Sequence, residues 1–194
     1  MESAVSRKDR IVASAIEIIS ESGLEALSTK TLAMKGNMSE SLLYKYFGGL
    51  EEVLIAVVEQ FVQFDERIAA TIDSRKSSYV GKLKEYFDTY ATYYGNYMEI
   101  TALVLNYENL LHNYSVREMI AGSITIKRDT VKRLIGEAIK AGEISDYFEP
   151  EELTNMLLGT MNSLLLDRRV TYHERALKDE MSELMTKMLN SVTK

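Results

Sequence analysis

Cysteine is absent from this chain, so neither a disulfide framework nor a thiolate metal site belongs to its chemistry. Long apolar runs are missing too. None approaches the roughly 18 residues of a membrane span, and the best candidate, Met156 to Leu166, is interrupted by Gly159, Thr160, Asn162 and Ser163. The opening stretch MESAVSRKDR is polar where a secretion signal would be apolar, so the expected location is the cytoplasm, with no membrane partner. Proline occurs once, at Pro150, which favours helices throughout. The only histidines, His112 and His173, are far apart and have no ligand set around them, so no metal site is expected. No nucleophile elbow, phosphate loop or paired acid–base motif is found. The expectation is a protein that is not an enzyme, with no catalytic residues and no cofactor.

Positive charge is in short supply as well. The 194 residues carry a net charge of −6. Residues 1–50 hold six basic and six acidic side chains, so the whole acidic excess, 17 basic against 23 acidic, lies after residue 50. A neutral head on an acidic body binds nucleic acid only through a local patch.

What is present is helical periodicity, and the fold class expected is all-α. A first helix begins at Ser6, with Asp9 completing a capping box, buries Ile11, Ala15, Ile18 and Ile19, and stops at Gly23. A short second helix follows Ser28 and ends at Gly36-Asn37. Ser39 caps a third that contains Leu43, Tyr44 and Phe47 and ends at Gly48-Gly49. Short helix, tight turn, short helix is the helix-turn-helix pattern. Longer helices follow, over about Glu51–Ser74, Ser78–Tyr94 and Ser115–Ala141, then one from Pro150 and a last one through Leu177, Met181, Leu184 and Met188.

The run Arg10-Ile11-Val12, Ala15, Ile19, Gly23-Leu24, Ala26, Ser28, Leu32-Ala33, Ser39 and Leu43-Tyr44-Lys45-Tyr46-Phe47 resembles the N-terminal domain of TetR-family regulators, without a gap over about residues 7–55. The resemblance implies a three-helix DNA-binding head at residues 1–50, with the third helix entering the major groove. It also implies a ligand-binding and dimerisation domain at residues 51–194. On this reading Lys30, Ser39, Glu40, Ser41, Tyr44, Lys45 and Tyr46 face DNA, with Arg7, Lys8 and Arg10 as an arm; simple core packing is the alternative for Tyr44. The chain departs from the family pattern at Glu40, Leu42 and Leu50. Glu40 repels phosphate unless it reads a cytosine amino group.

Eight of the twelve tyrosines fall between residues 79 and 114. An apolar ring with a hydrogen-bonding tip suits a pocket wall, which makes Tyr86, Tyr90, Tyr93, Tyr94, Tyr97 and Tyr107 the candidate ligand contacts, with ordinary core packing as the alternative. Asp88, Glu99 and Glu108 lie among them; if two face inward, a cationic aromatic ligand fits, and otherwise a long acyl or other apolar one. The resemblance assigns the last two helices to a homodimer, with Gly159, Ser163, Leu177, Met181, Leu184 and Met188 at its interface. The function expected is a ligand-responsive repressor binding a palindromic double-stranded DNA operator as a homodimer, released by a small apolar or aromatic effector. The alternative is a non-enzymatic helical small-molecule-binding protein with weak or lost DNA binding.

Overall fold

Serine begins each of the first three helices, for one reason. The first N–H groups of a helix have no carbonyl partner inside it, and a serine hydroxyl supplies one. The computed structural model describes residues 6–171 and 174–194. Its helices are α1 (Arg7–Ser22), α2 (Thr29–Lys35), α3 (Glu40–Tyr46), α4 (Leu50–Ile72), α5 (Tyr79–Asn96), α6 (Thr101–Leu105), α7 (Tyr107–Leu111), α8 (Arg117–Lys140), α9 (Pro150–Val170) and α10 (Leu177–Val192). At α1 the Ser6 hydroxyl accepts the Asp9 N–H, and the Asp9 carboxylate accepts the Ser6 N–H, both at 3.1 Å. Ser28 and Thr31 make the same exchange at α2, at 3.1 and 3.0 Å. At α3, Ser39 accepts the Leu42 N–H at 3.2 Å.

The turn between α2 and α3 divides its work between two residues. Asn37 alone takes the left-handed conformation, at φ 47°. Gly36, at φ −78°, lies close to backbone: a Cβ there would be 3.2 Å from the Leu32 carbonyl. Gly23 ends α1 at φ 86° and Gly142 ends α8 at φ 73°, both readily adopted only by glycine.

Two compact units result. The first comprises Met1–Gln63 and Met98–Ala121. In it α1 packs on α2 and α3, and also on α6 and the 3-10 turn Met98–Ile100 before it. Its centre holds Ile11, Ile19, Leu32, Leu43, Val57 and Leu103, none more than 1% exposed. Each such aliphatic side chain contributes roughly 1.5–3 kcal/mol by leaving water.

The second unit comprises Phe64–Tyr97 and Gly122–Lys194. Here α10 lies along α5, burying Leu177, Met181, Met185 and Leu189 at every fourth position. The Glu143 carboxylate, just after α8, accepts the N–H groups of Tyr79 and Val80 at 3.1 and 2.8 Å and so caps α5 from a distant part of the chain. Pro150 occupies the first turn of α9, where its missing N–H costs nothing. No strand is found among the described residues, only an isolated bridge between Ile144 and Thr193. Nor is any helix among them long and apolar enough to cross a membrane.

Packing does not divide the chain at residue 50, where a division by role is expected. The boundary falls inside the continuous helices α4 and α8, because Met98–Ala121 packs with α1 in the first unit.

Candidate functional site

Helix α3 is short and has two chemically distinct faces. Leu43 and Phe47 point into the core, at 0% and 5% exposure, while Tyr44 is 54% exposed. Ser39, Glu40, Ser41 and Lys45 are exposed with it, Tyr46 is half-buried, and Lys30 is exposed on α2. The exposure of Tyr44 removes the core-packing reading for that residue. The Ser39 and Ser41 hydroxyls hydrogen-bond each other at 2.9 Å.

The cations of this region fall into two groups. Lys35 is held by Glu17 at 3.2 Å and Glu21 at 2.7 Å; these bonds, the one to Glu21 foremost, raise its pKa. Lys8 sits 5.2 Å over the Phe47 ring. Arg7, Arg10, Lys30 and Lys45, by contrast, form no ion pair among the described residues. Arg7 and Arg10 line a cavity of about 270 Å³ with Asn37, Met38, Leu42 and Tyr46. Of these, Asn37 and Met38 are residues the sequence gives no reason to single out.

In the second unit the α5 tyrosines are largely interior. Tyr86, Tyr90 and Tyr94 are at most 1% exposed, and their rings pack in series, 5.0 Å from Tyr86 to Tyr90 and 5.7 Å from Tyr90 to Tyr94. Tyr93 is half-buried and stacks on Phe64 with centroids 3.4 Å apart and planes 18° from parallel. Tyr97 is 55% exposed, 5.6 Å from Tyr93. Tyr107 does not join them: it belongs to the first unit, edge-on to Phe61 at 6.0 Å. Further cavities of about 540 and 480 Å³ open in the first unit and one of about 520 Å³ in the second, none of them lined by an α5 tyrosine.

The three carboxylates that the sequence places among these tyrosines do not face inward. Asp88, Glu99 and Glu108 are all exposed. Asp88 accepts from Ser182 at 2.8 Å, and Glu108 pairs with His112 at 3.2 Å, one helical turn away. His173 lies outside the described residues. The inward carboxylate is Asp65 of α4, 1% exposed. It accepts from the Tyr90 hydroxyl at 2.7 Å and from the Ser123 hydroxyl, and Lys127 of α8 lies 3.0 Å from it. The Lys127 ammonium is also 3.5 Å from the Tyr94 hydroxyl and 5.4 Å from the centre of the Tyr90 ring. Burial, then the charges of Tyr86 and Asp65, push the Tyr90 pKa well above its ordinary value; burial likewise raises that of Tyr93. Asp65 falls between Phe61, Ile68 and Ile72, and Lys127 between Ile120, Val131 and Leu134, each on a buried helical stripe. A charge interrupting an apolar stripe is a signal the sequence offers and the tyrosine count obscures.

The expected dimer residues separate into two sets. Leu177 and Met181, 5% and 0% exposed, are buried within one protomer as part of the α10 face, which takes them out of reach of a second copy. Leu184 and Met188 are half-buried, and Gly159 and Ser163 are exposed. On α9 those two lie in one row with Met156, Leu166 and Val170, which are 42%, 53% and 77% exposed.

Residues 11–57 match the family model described as bacterial regulatory proteins, tetR family. No curated protein sequence matches the chain. Solved structures do match in fold. The ketosteroid transcriptional regulator KstR2 of Mycobacterium tuberculosis is 14% identical, with a TM-score of 0.87 over 99% of this chain and 97% of that one. The TetR family transcriptional regulator PfmR of Thermus thermophilus is 17% identical, with a TM-score of 0.80 over 94% and 98%. The transcriptional regulator FadR of Bacillus subtilis, solved with stearoyl-CoA, is 20% identical, with a TM-score of 0.73 over 93% and 96%. In sequence, then, residues 11–57 match the tetR family of bacterial regulatory proteins, and over its full length the chain shares the all-helical fold of these solved regulators.

Proposed function

We propose that the chain is a ligand-responsive transcriptional regulator that binds a palindromic operator as a homodimer. The observation that carries this reading is the division of α3. Leu43 and Phe47 anchor it to the core while Tyr44, Lys45, Ser41 and Glu40 stand exposed on the other side, as a helix entering a major groove requires. Lys45, Lys30, Arg7 and Arg10 supply the phosphate contacts, and Tyr44 and Tyr46 donate hydroxyls. Glu40, exposed in the first turn of α3, discriminates among bases instead of adding affinity. The test is a gel shift with the DNA upstream of the chain's own gene. Retarded DNA, lost with Lys45→Ala at moderate salt, supports the reading. Binding no tighter than to random DNA leaves a helical small-molecule-binding protein as the function.

The α9 row is the surface for a second copy. Met156, Gly159, Ser163, Leu166 and Val170 recur at alternating intervals of three and four, the spacing of a helix–helix seam, and a two-fold axis pairs such a row with itself. Half-sites one DNA turn apart require two recognition helices about 34–36 Å apart, which a monomer cannot present. Glutamate at both Leu166 and Val170 is expected to give monomers by light scattering.

The second unit holds the effector among Tyr86, Tyr90, Tyr93, Tyr94 and Tyr97. The stearoyl-CoA of the Bacillus subtilis regulator and the ketosteroids of the mycobacterial regulator's name support an apolar effector body. Helix α4 runs unbroken from Leu50 to Ile72, so a ligand that favours one placement of its second half biases the head, and operator and ligand weaken each other by the same factor. Repression relieved by effector is the sign this implies.

A further inference from the structure

Asp65 and Lys127 are buried charges that neither DNA contact nor dimerisation uses. They lie in the second unit, and a role for them in ligand recognition rests on that unit being the effector domain. A buried ion pair is expensive to desolvate and is a poor source of stability, so its presence asks for another reason.

The two partners are not held alike. Asp65 receives neutral donors on both oxygens, Tyr90 on Oδ1 at 2.7 Å and Ser123 on Oδ2, from buried side chains of α5 and α8. Were Lys127 to turn away, each oxygen of the carboxylate would keep a hydrogen bond. Lys127 reaches Oδ2 at 3.0 Å, with the Tyr94 hydroxyl 3.5 Å from its ammonium; its donors sit on a flexible four-carbon stem that re-aims more readily than the short arm of an aspartate. The pair therefore opens by the lysine moving, not by the aspartate leaving.

An aromatic ladder of rising burial leads to this pair. It starts at Tyr97, 55% exposed, and passes to half-buried Tyr93 at 5.6 Å. Phe64 stacks on Tyr93 and meets buried Tyr90 edge-on at 5.9 Å. Tyr90 carries both the hydroxyl on Asp65 and the ring 5.4 Å beneath Lys127. An apolar body lying along the ladder brings its polar end to the ammonium.

We propose that this unit binds an organic acid, whose carboxylate takes Lys127 from Asp65 while its apolar or aromatic body replaces ring contacts along Phe64, Tyr93 and Tyr97. A cationic ligand would have to compete for a carboxylate whose two oxygens already accept from Tyr90 and Ser123, whereas an ammonium carries three donors and can serve a second carboxylate. A neutral ligand leaves the ion pair closed and has no charge to offer in exchange.

The experiment is calorimetric titration of the full-length protein with octanoate and phenylbutyrate, each against the amide and the amine of the same skeleton. The acids are expected to bind at least about tenfold tighter than their amides, and the amines more weakly still. Lys127→Met abolishes the preference for the acid. Asp65→Asn removes the competing carboxylate and tightens acid binding, whereas a merely structural pair would weaken binding in both variants. Equal affinity for acid and amide, a preference for the amine, or no binding at about 10 mM overturns the proposal. So does an acid preference that survives in Lys127→Met. The comparison of probes on the unaltered protein decides the matter even where a variant fails to fold. The regulator reading fails separately: a protein that binds the acids but not the DNA upstream of its gene keeps the acid site and loses the operator. One that binds that DNA and releases it only with the amines loses the acid site alone.

Discussion

In residues 6–63 the charged side chains stay at the surface. Lys35 pairs with Glu17 and Glu21 in reach of water, and the interior is apolar. In the second unit one pair departs from this: Asp65 and Lys127 pair deep among Tyr90, Tyr94 and Ser123. The same chemical pair has opposite energetics in the two places. Water screens the first and makes it nearly neutral for stability. Lack of water makes the second strong in isolation but dependent on every partner staying in position. Under the proposed function, a head that presents one rigid helix to DNA gains from an apolar core with a single packing, and a domain that responds to a ligand gains from an interior with two arrangements close in energy.

The contrast is tested most severely by lysine. Lys127→Met leaves the Asp65 carboxylate buried and is expected to cost about 3–5 kcal/mol in urea denaturation. Adding Asp65→Leu to it should recover only part of that loss, because the buried Tyr90 and Ser123 hydroxyls then lack their acceptor. Lys35→Met should leave the midpoint where it is, and equal shifts for the two lysines would erase the distinction between the units.

Tyr90→Phe deletes one donor to a charged acceptor and is expected to cost about 1.5–3 kcal/mol. It also has a pH signature. Burial first, and then the charges of Tyr86 and Asp65, keep Tyr90 protonated above its ordinary value of 10.0. The unfolded chain therefore loses this proton first, so the contribution of Tyr90 is complete below that pH and falls as pH rises past it. Denaturation midpoints between neutral and strongly alkaline pH should fall less steeply in the Phe variant than in the parent; identical slopes would remove Tyr90 from the account.

In the head, Ser28→Ala removes the cap of α2 and is expected to cost about 1 kcal/mol by thermal unfolding. Lys45→Ala should leave stability unchanged and lower the slope of log operator affinity against log salt by about one unit. A stability loss at Lys45 larger than that at Ser28 would place Lys45 in the core and not at DNA.

Much of the head can be read directly from residues close together in sequence. Ser6 with Asp9, Ser28 with Thr31 and Ser39 with the Leu42 N–H are contacts over three residues, and the alternation of Leu43 and Phe47 with Tyr44 and Lys45 follows from helical period alone. The interior of the second unit resists such reading. Asp65, Tyr90 and Lys127 come from three helices, and nothing near any one of them names the other two. Asp88, Glu99 and Glu108 look equally suitable beside the tyrosines, yet lie at the surface.

The amphipathic stripe of α10 shows where the two kinds of information part. Leu177, Met181, Met185 and Leu189 are bound by their spacing to face something apolar, because their exposure to water would be too costly. Whether that something is a second copy or the chain's own α5 depends on how the helices are arranged in space, and it is α5. Sequence alone therefore determined the helices, their caps and the two-faced α3, since these rest on bonds within a few residues and on a fixed period. Only the tertiary structure decided which apolar stripe stays open on α9, and which carboxylate meets Lys127. Both depend on contacts between helices distant in the chain, and no local pattern encodes those.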